Sequence, residues 1–164
     1  MILPQSHTLT TRHLNRVFDN TVATYKYYWF LGILDACVKQ GKSRINVWDI
    51  MISMVANAWY PVNYFRLSFG KSESLYDAIL TLQREYNIPI NIGINELTEM
   101  LQTLIQRREV RRLLNFLQMN VPFRFLRPWI DTSDDKQMVL RSQTFENGCL
   151  YKLEKIDRIW WVEI

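Results

Sequence analysis

The sequence predicts a mainly α-helical protein, a bundle of five or six helices followed by a small antiparallel β meander at the C-terminus. Apolar residues recur at three- and four-residue spacing through most of residues 10–120, the period that gathers side chains on one helical face. Residues suited to start and stop helices fall at the ends of those stretches, among them Asn46, Ser74 and Asn95 at the starts and Gly41, Asn87 and Pro89 at the stops. Beyond Val121 the texture changes to prolines and then to short segments rich in Val, Ile and Trp, the composition of strands.

Taken in order, Thr10 to Phe18 forms a short helix, with Thr10 or Thr11 free to accept from its first turn and Leu14, Val17 and Phe18 as its apolar stripe. After a second cap candidate at Asp19-Asn20, the set Trp29, Phe30, Ile33, Leu34, Cys37 and Val38 keeps helical phase until Gly41, which suits a left-handed cap. Asn46 opens a third helix through Val47, Ile50, Met51, Met54, Val55, Ala58 and Trp59. Pro61 lacks the backbone donor a helix needs, so the chain is expected to turn near Tyr60 before a short aromatic segment, Val62 to Phe69, that Gly70 closes.

Ser72 or Ser74 opens a fourth helix carrying Leu75, Ala78, Ile79 and Leu82, and Asn87 with Pro89 ends it. Asn95 opens a fifth. Its pattern falls out of step at Arg107-Arg108 and resumes at Val110, Leu113, Leu114 and Leu117, so two helices, or one bent helix, meet near Arg108. Two prolines within Val121 to Ile130 argue for a connector with anchored aromatics. Asp131 to Lys136 reads as a polar turn. Met138 to Phe145, Cys149 to Lys155 and Arg158 to Ile164 read as strands, with Asn147-Gly148 as a tight hairpin turn. Residues 1–130 are thus a helical domain, and 131–164 a short β meander or the junction to a missing C-terminal domain.

The 164 residues suffice for one domain with its own core, and the apolar fraction of 48% with 13% aromatics belongs to a packed protein. Cys37 and Cys149 are too few for a disulfide framework and point to a reducing, cytoplasmic compartment. No stretch is long and apolar enough to span a membrane, and the polar N-terminus lacks a signal-peptide run. The net charge of +4 is uneven. Residues 1–130 hold fifteen Lys and Arg against nine Asp and Glu, an excess of +6, whereas residues 131–164 hold five against seven, or −2.

Recognised chemistry is missing. His7 and His13 have no Cys or carboxylate at metal-ligand spacing, no Gly-x-Ser-x-Gly elbow is present, and no glycine-rich phosphate loop occurs. The carboxylates are scattered, and their closest pairs, Glu96 with Glu99 and Asp134 with Asp135, lie where helix starts and turns ordinarily carry acids. No catalytic residue, metal ligand, cofactor or small-molecule substrate is therefore expected of these residues.

The run Arg107, Arg108, Arg111 and Arg112 lies on neighbouring helical positions, with Arg124 and Arg127 close behind. Guanidinium groups match phosphate oxygens, and clustered cations gain by displacing counterions from a nucleic acid. A solvated helix face partly neutralised by Glu109 is the plainer alternative. In the aromatic strings that begin at Tyr25 and Trp59, helical phase leaves Tyr25, Tyr27, Tyr60 and Tyr64 off the core face, where they could stack on bases.

Three strings resemble a known family: Phe-Asp-Asn-Thr-Val-Ala-Thr-Tyr-Lys-Tyr-Tyr-Trp-Phe-Leu from Phe18, Ala-Asn-Ala-Trp-Tyr-Pro-Val-Asn-Tyr-Phe-Arg-Leu-Ser-Phe-Gly from Ala56, and Val-Pro-Phe-Arg-Phe-Leu-Arg-Pro-Trp from Val121. Together they resemble the N-terminal helical region of bacterial HNH endonuclease domain-containing proteins common in the Bacteroides group. The resemblance extends to about Trp129 and implies a non-catalytic module that binds or positions DNA, because the histidine and asparagine motif of such nucleases lies C-terminal to this region. A longer parent chain would be an HNH endonuclease. The alternative is a protein-interaction or oligomerisation module with no nucleic-acid role, suggested by the Tyr and Trp content and by the apolar end Ile159-Trp160-Trp161-Val162-Glu163-Ile164.

Overall fold

The computed structural model describes residues 11–19, 24–67 and 74–164. The expected Thr10 and Asn20 caps, the Ser72 helix start, His7 and the Gly70 closure lie outside them. Among the described residues the chain forms seven α-helices and one three-stranded antiparallel sheet: α1 (Arg12–Asp19), α2 (Tyr25–Leu34), β1 (Arg44–Asn46), α3 (Val47–Asn63), α4 (Ser74–Glu85), α5 (Ile94–Leu104), α6 (Arg108–Leu126), α7 (Asp135–Ser142), β2 (Lys152–Ile156) and β3 (Ile159–Glu163). The mainly helical class with a small C-terminal sheet is as the periodicity predicts.

Helix α3 is the axis of the bundle and packs against α2, α4, α5 and α6. Its Val47, Ile50, Met51, Met54, Val55, Ala58 and Trp59 are all buried. Asn46 caps it as expected, in extended backbone, with its Oδ1 accepting from the Trp48 N–H at 2.8 Å. Against it, α2 comes close enough that a Cβ on Gly32 would lie 2.9 Å from the Ile50 Cγ2. A π turn, Asp35–Lys39, continues α2, and Gly41 at φ +64 ends it with two back-bonds, Gly41 N–H to Cys37 and Lys42 N–H to Ala36.

Pro61 and Pro122 do not break their helices. Pro61 sits in the last turn of α3, where it removes a single bond before the helix stops at Asn63. Pro122 lies deeper in α6, where an interior proline costs about 3 kcal/mol. Around it Val121, Phe123, Phe125 and Leu126 are buried, each contributing about 1.5–3 kcal/mol of apolar burial, so packing outweighs the lost bond. The first part of the stretch read as a connector, Val121 to Leu126, is therefore the end of α6, while residues 127–130 are a turn with Trp129 and Ile130 buried.

Residues 138–142 are likewise helical and not a strand. Asp134 caps α7 by accepting from the Lys136 N–H at 2.8 Å, and Gln137 three positions on completes the pattern of a helix start. Asn147-Gly148 forms a left-handed 3₁₀ turn between α7 and the sheet, its Asn147 Nδ2 donating to the Trp129 carbonyl at 2.7 Å, and is not the hairpin turn. The hairpin turn is Asp157-Arg158, which joins β2 to β3 at the Ile156–Ile159 pair. The sheet order is β1-β3-β2, with Arg44 paired to Glu163 and Lys152 to Glu163 across the central strand. The strand Arg44–Asn46 was not expected, and with it the sheet is more than a C-terminal meander.

Below the sheet, Leu153, Val162 and Tyr151 join the same apolar cluster as the helices. Tyr151 is fully buried; its hydroxyl accepts from Trp29 Nε1 at 3.1 Å and donates to the Pro122 carbonyl at 2.7 Å. Burial pushes its phenol well above the ordinary tyrosine range, and the Trp29 hydrogen bond opposes this without reversing it. Among the described residues no helix is long and apolar enough to cross a membrane.

Candidate nucleic-acid interface

The six arginines singled out in the sequence lie on or beside one helix, and the fold divides them. On an α-helix each residue advances about 100° and 1.5 Å, so Arg124 sits roughly 160° around and about 24 Å along from Arg108. Arg108, Arg111 and Arg112 share one groove near the start of α6. Arg107, the residue before the helix, points its guanidinium over Tyr86 at 5.5 Å. Arg124 and Arg127 belong to a second cluster at the far end with Lys26, whose ammonium is held below the ordinary lysine range by burial and then by the charges of Arg127 and Arg124. The Lys26 Nζ donates to the Val17 carbonyl at 3.3 Å.

The groove is ≈560 Å³ and lies between α6 and the β2–β3 hairpin. The hairpin adds Lys155 and Arg158, while Trp48 and Trp160 form part of its wall. Asp157 is the one acid among its lining residues. Among the described residues five ion pairs form, and none involves Arg108, Arg111, Arg112, Lys155 or Arg158. Glu109, the expected neutralising neighbour, pairs with none of them either. Five cations facing one acid across two elements leave a positive field that the protein does not quench, and the groove lies at the N-terminal end of a 19-residue helix, where the backbone dipole adds to it.

The arginines are not equivalent. Arg111 donates from Nε to the Ile105 carbonyl at 2.8 Å and from Nη2 to Gln106 Oε1 at 3.3 Å, and its guanidinium carbon lies 5.6 Å from the Trp48 ring centre. It therefore ties the end of α5 to the start of α6. Arg108 and Arg112 are exposed. Lys155, Arg158 and Trp48 escaped the sequence reading, and Trp160 was read there only as part of an apolar end, because the residues joined here come from distant positions. The paired signal was present only as Lys155 shortly before, and Arg158 within, a two-residue turn.

The aromatic candidates also divide. Tyr25 and Tyr27 are half-buried against the core, and the Tyr27 ring is stacked on Phe18 at 4.8 Å. Tyr60 and Tyr64 are exposed, at 41% and 59%, but face each other at 5.0 Å, with Phe65 set edge-on to Tyr64 at 5.1 Å. The apolar end that suggested self-association is the central strand: Val162 is buried, Trp160 packs edge-on to Phe123 at 5.1 Å, and Trp161 lies beneath Arg44 at 5.4 Å.

Among the described residues no group of three or more His, Cys, Asp or Glu side chains is placed to hold a metal ion. His13 instead hydrogen-bonds through Nδ1 with the Pro128 carbonyl at 2.7 Å and stacks on Trp129. Both cysteines are free thiols, and burial raises each above the ordinary range. No family model, curated relative or solved structure matches this chain.

Proposed function

We propose that this chain is a non-catalytic DNA-binding module that holds DNA through the groove between α6 and the β2–β3 hairpin. The observation that carries the reading is the convergence of Arg108, Arg111, Arg112, Lys155 and Arg158, none of them ion-paired among the described residues. A solvated face would leave single charges in water; here cations from two separate elements converge on one concave surface. Phosphates satisfy such a groove because binding releases their condensed counterions. In the setting that the family resemblance implies, the module would position DNA for an HNH nuclease domain elsewhere in a longer chain.

Replacing Arg108 and Arg112 together by Glu tests the reading, since both are exposed and the fold should survive. Anisotropy titration of labelled DNA should show salt-sensitive binding by the wild type and at least a tenfold loss in the variant, with an unchanged helical circular dichroism signal. Equal binding by both proteins removes the groove as the DNA site.

A second reading has its own observation. Tyr60, Tyr64, Phe65 and Leu67 form an exposed apolar patch, with rings engaged with one another instead of open for bases, and such patches mark protein contacts. Concentration-dependent light scattering, compared with a Tyr64→Ser and Phe65→Ser variant, reads out self-association through it.

A further inference from the structure

The hairpin turn beside the groove contains an unfavourable residue. A two-residue hairpin turn with φ above zero at both positions is of the I′ kind, in which Gly is strongly preferred at the second. Here the pair is Asp157 at φ +48 and Arg158 at φ +68. Asp tolerates the left-handed region through local hydrogen bonding, whereas a long side chain such as Arg is strained there. The strained residue is also one of the five cations lining the groove.

The aromatic walls carry the second observation. Trp48 and Trp160 both pack against the core, and each already has a cation over its ring, Arg111 at 5.6 Å and Lys155 at 5.2 Å. Phe123 also packs against Trp160, at a near-perpendicular ring angle and 5.1 Å. Single-strand binders gain much of their affinity from free aromatic faces on which bases stack. Each of these two rings already has one face engaged by a cation that also lines the groove.

Resting on the DNA-binding reading above, we propose that the groove grips the phosphate backbone of duplex DNA without reading its bases, and that the Asp157-Arg158 turn is its second jaw, with Arg158 kept at a strained position for its charge. Duplex is favoured over single strand because it offers the higher density of phosphates and demands no stacking surface. The arginines of α6 hold one side of the backbone and the hairpin cations the other.

Arg158→Gly separates charge from strain, because glycine relieves the turn while removing the contact. The variant should melt about 2–4 °C higher than the wild type. Its duplex affinity should fall severalfold at physiological salt, with the slope of log K against log salt shallower by about 1. Wild-type protein should bind a duplex more tightly than either of its separated strands, and a scrambled duplex equally well. Preference for the single strand, a change of affinity on scrambling, or an Arg158→Gly variant that binds duplex as the wild type does would overturn this proposal while leaving DNA binding intact. Failure of every DNA to bind at low salt would overturn both.

Discussion

From Val121 to Leu126, α6 turns Val121, Phe123, Phe125 and Leu126 into the interior, whereas from Arg108 to Arg112 the same helix holds Arg108 and Arg112 in the open. The back half is bound on several sides: Phe125 stacks on Phe30, Trp129 and Tyr151 at 6.0, 6.3 and 6.2 Å and meets Phe18 edge-on at 6.2 Å. The front half buries Val110, Leu114 and Leu117 along one face only, and its other face carries Arg108 and Arg112 into the groove. The aromatic cluster lies at one end of the helix and the unpaired charge on the open face of the other, so these two places should respond to substitution in different assays.

The largest effect is expected from Phe125→Ala, which empties the centre of that aromatic cluster. It should destabilise by about 3–5 kcal/mol, a sizeable share of the 5–15 kcal/mol typical of a domain, and chemical denaturation would show it. Duplex affinity of the fraction that remains folded should not change; a direct loss of binding there would erase the division between the halves.

Tyr151→Phe follows, at about 1–3 kcal/mol, because it leaves the Trp29 N–H and the Pro122 carbonyl buried without their shared partner. It also tests a pH dependence. The folded phenol titrates above its unfolded value near 10, so the stability linked to it is whole below that pH and is lost as pH rises toward the folded value. Alkaline unfolding of the wild type should begin above about pH 10, and the variant should lose less stability over that range.

Arg111→Ala sharpens the comparison within the groove. It should cost about 1 kcal/mol through the lost Ile105 contact and the Trp48 packing, whereas Arg112→Ala should change stability by less than about 0.5 kcal/mol, and both should weaken DNA binding. Thermal melts and anisotropy on the same samples separate the positioning arginine from the purely electrostatic one.

The smallest effect is on the acid side. Hydrogen bonding to Arg141 holds the Glu146 carboxyl below the ordinary range, so its contribution is present above the unfolded value and lost as pH falls through the folded one. Glu146→Gln should flatten the acid limb of the stability profile slightly, since the pair is partly open to solvent and screened.

The helices with long, capped stripes were legible in the sequence. Asn46 with the Val47-to-Trp59 pattern, and Gly41 with the pattern before it, specify start, face and stop locally, and no distant contact competes with them. Pro61 and Pro122 misled because local backbone preference was outweighed by burial that only the fold supplies. Residues 138–142 misled for a different reason: the Met138, Val139 and Leu140 run is too short to fix a period, and the decisive cap at Asp134 was read as a turn. The arginines of α6 were visible as a run, but its partition into groove, junction and far cluster depends on where the helix points. Lys155 and Arg158 become partners of Arg108 and Arg112 only through the β2–β3 hairpin, a relation that no spacing in the chain encodes.

The placement of β3 between β1 and β2 bears on how the chain reaches this fold. Arg44, Ile45 and Asn46 are made before their ladder partners Glu163, Val162 and Trp161, which lie more than a hundred residues further along the chain. Contacts so remote in sequence slow folding, because the intervening loop must be closed before they form. The helices around α3 can assemble from nearer neighbours first, leaving Ile45 waiting at an open edge until residues 159–163 arrive. Closing the sheet then brings Lys155 and Arg158 to α6, so the complete groove should be among the last features to form during refolding.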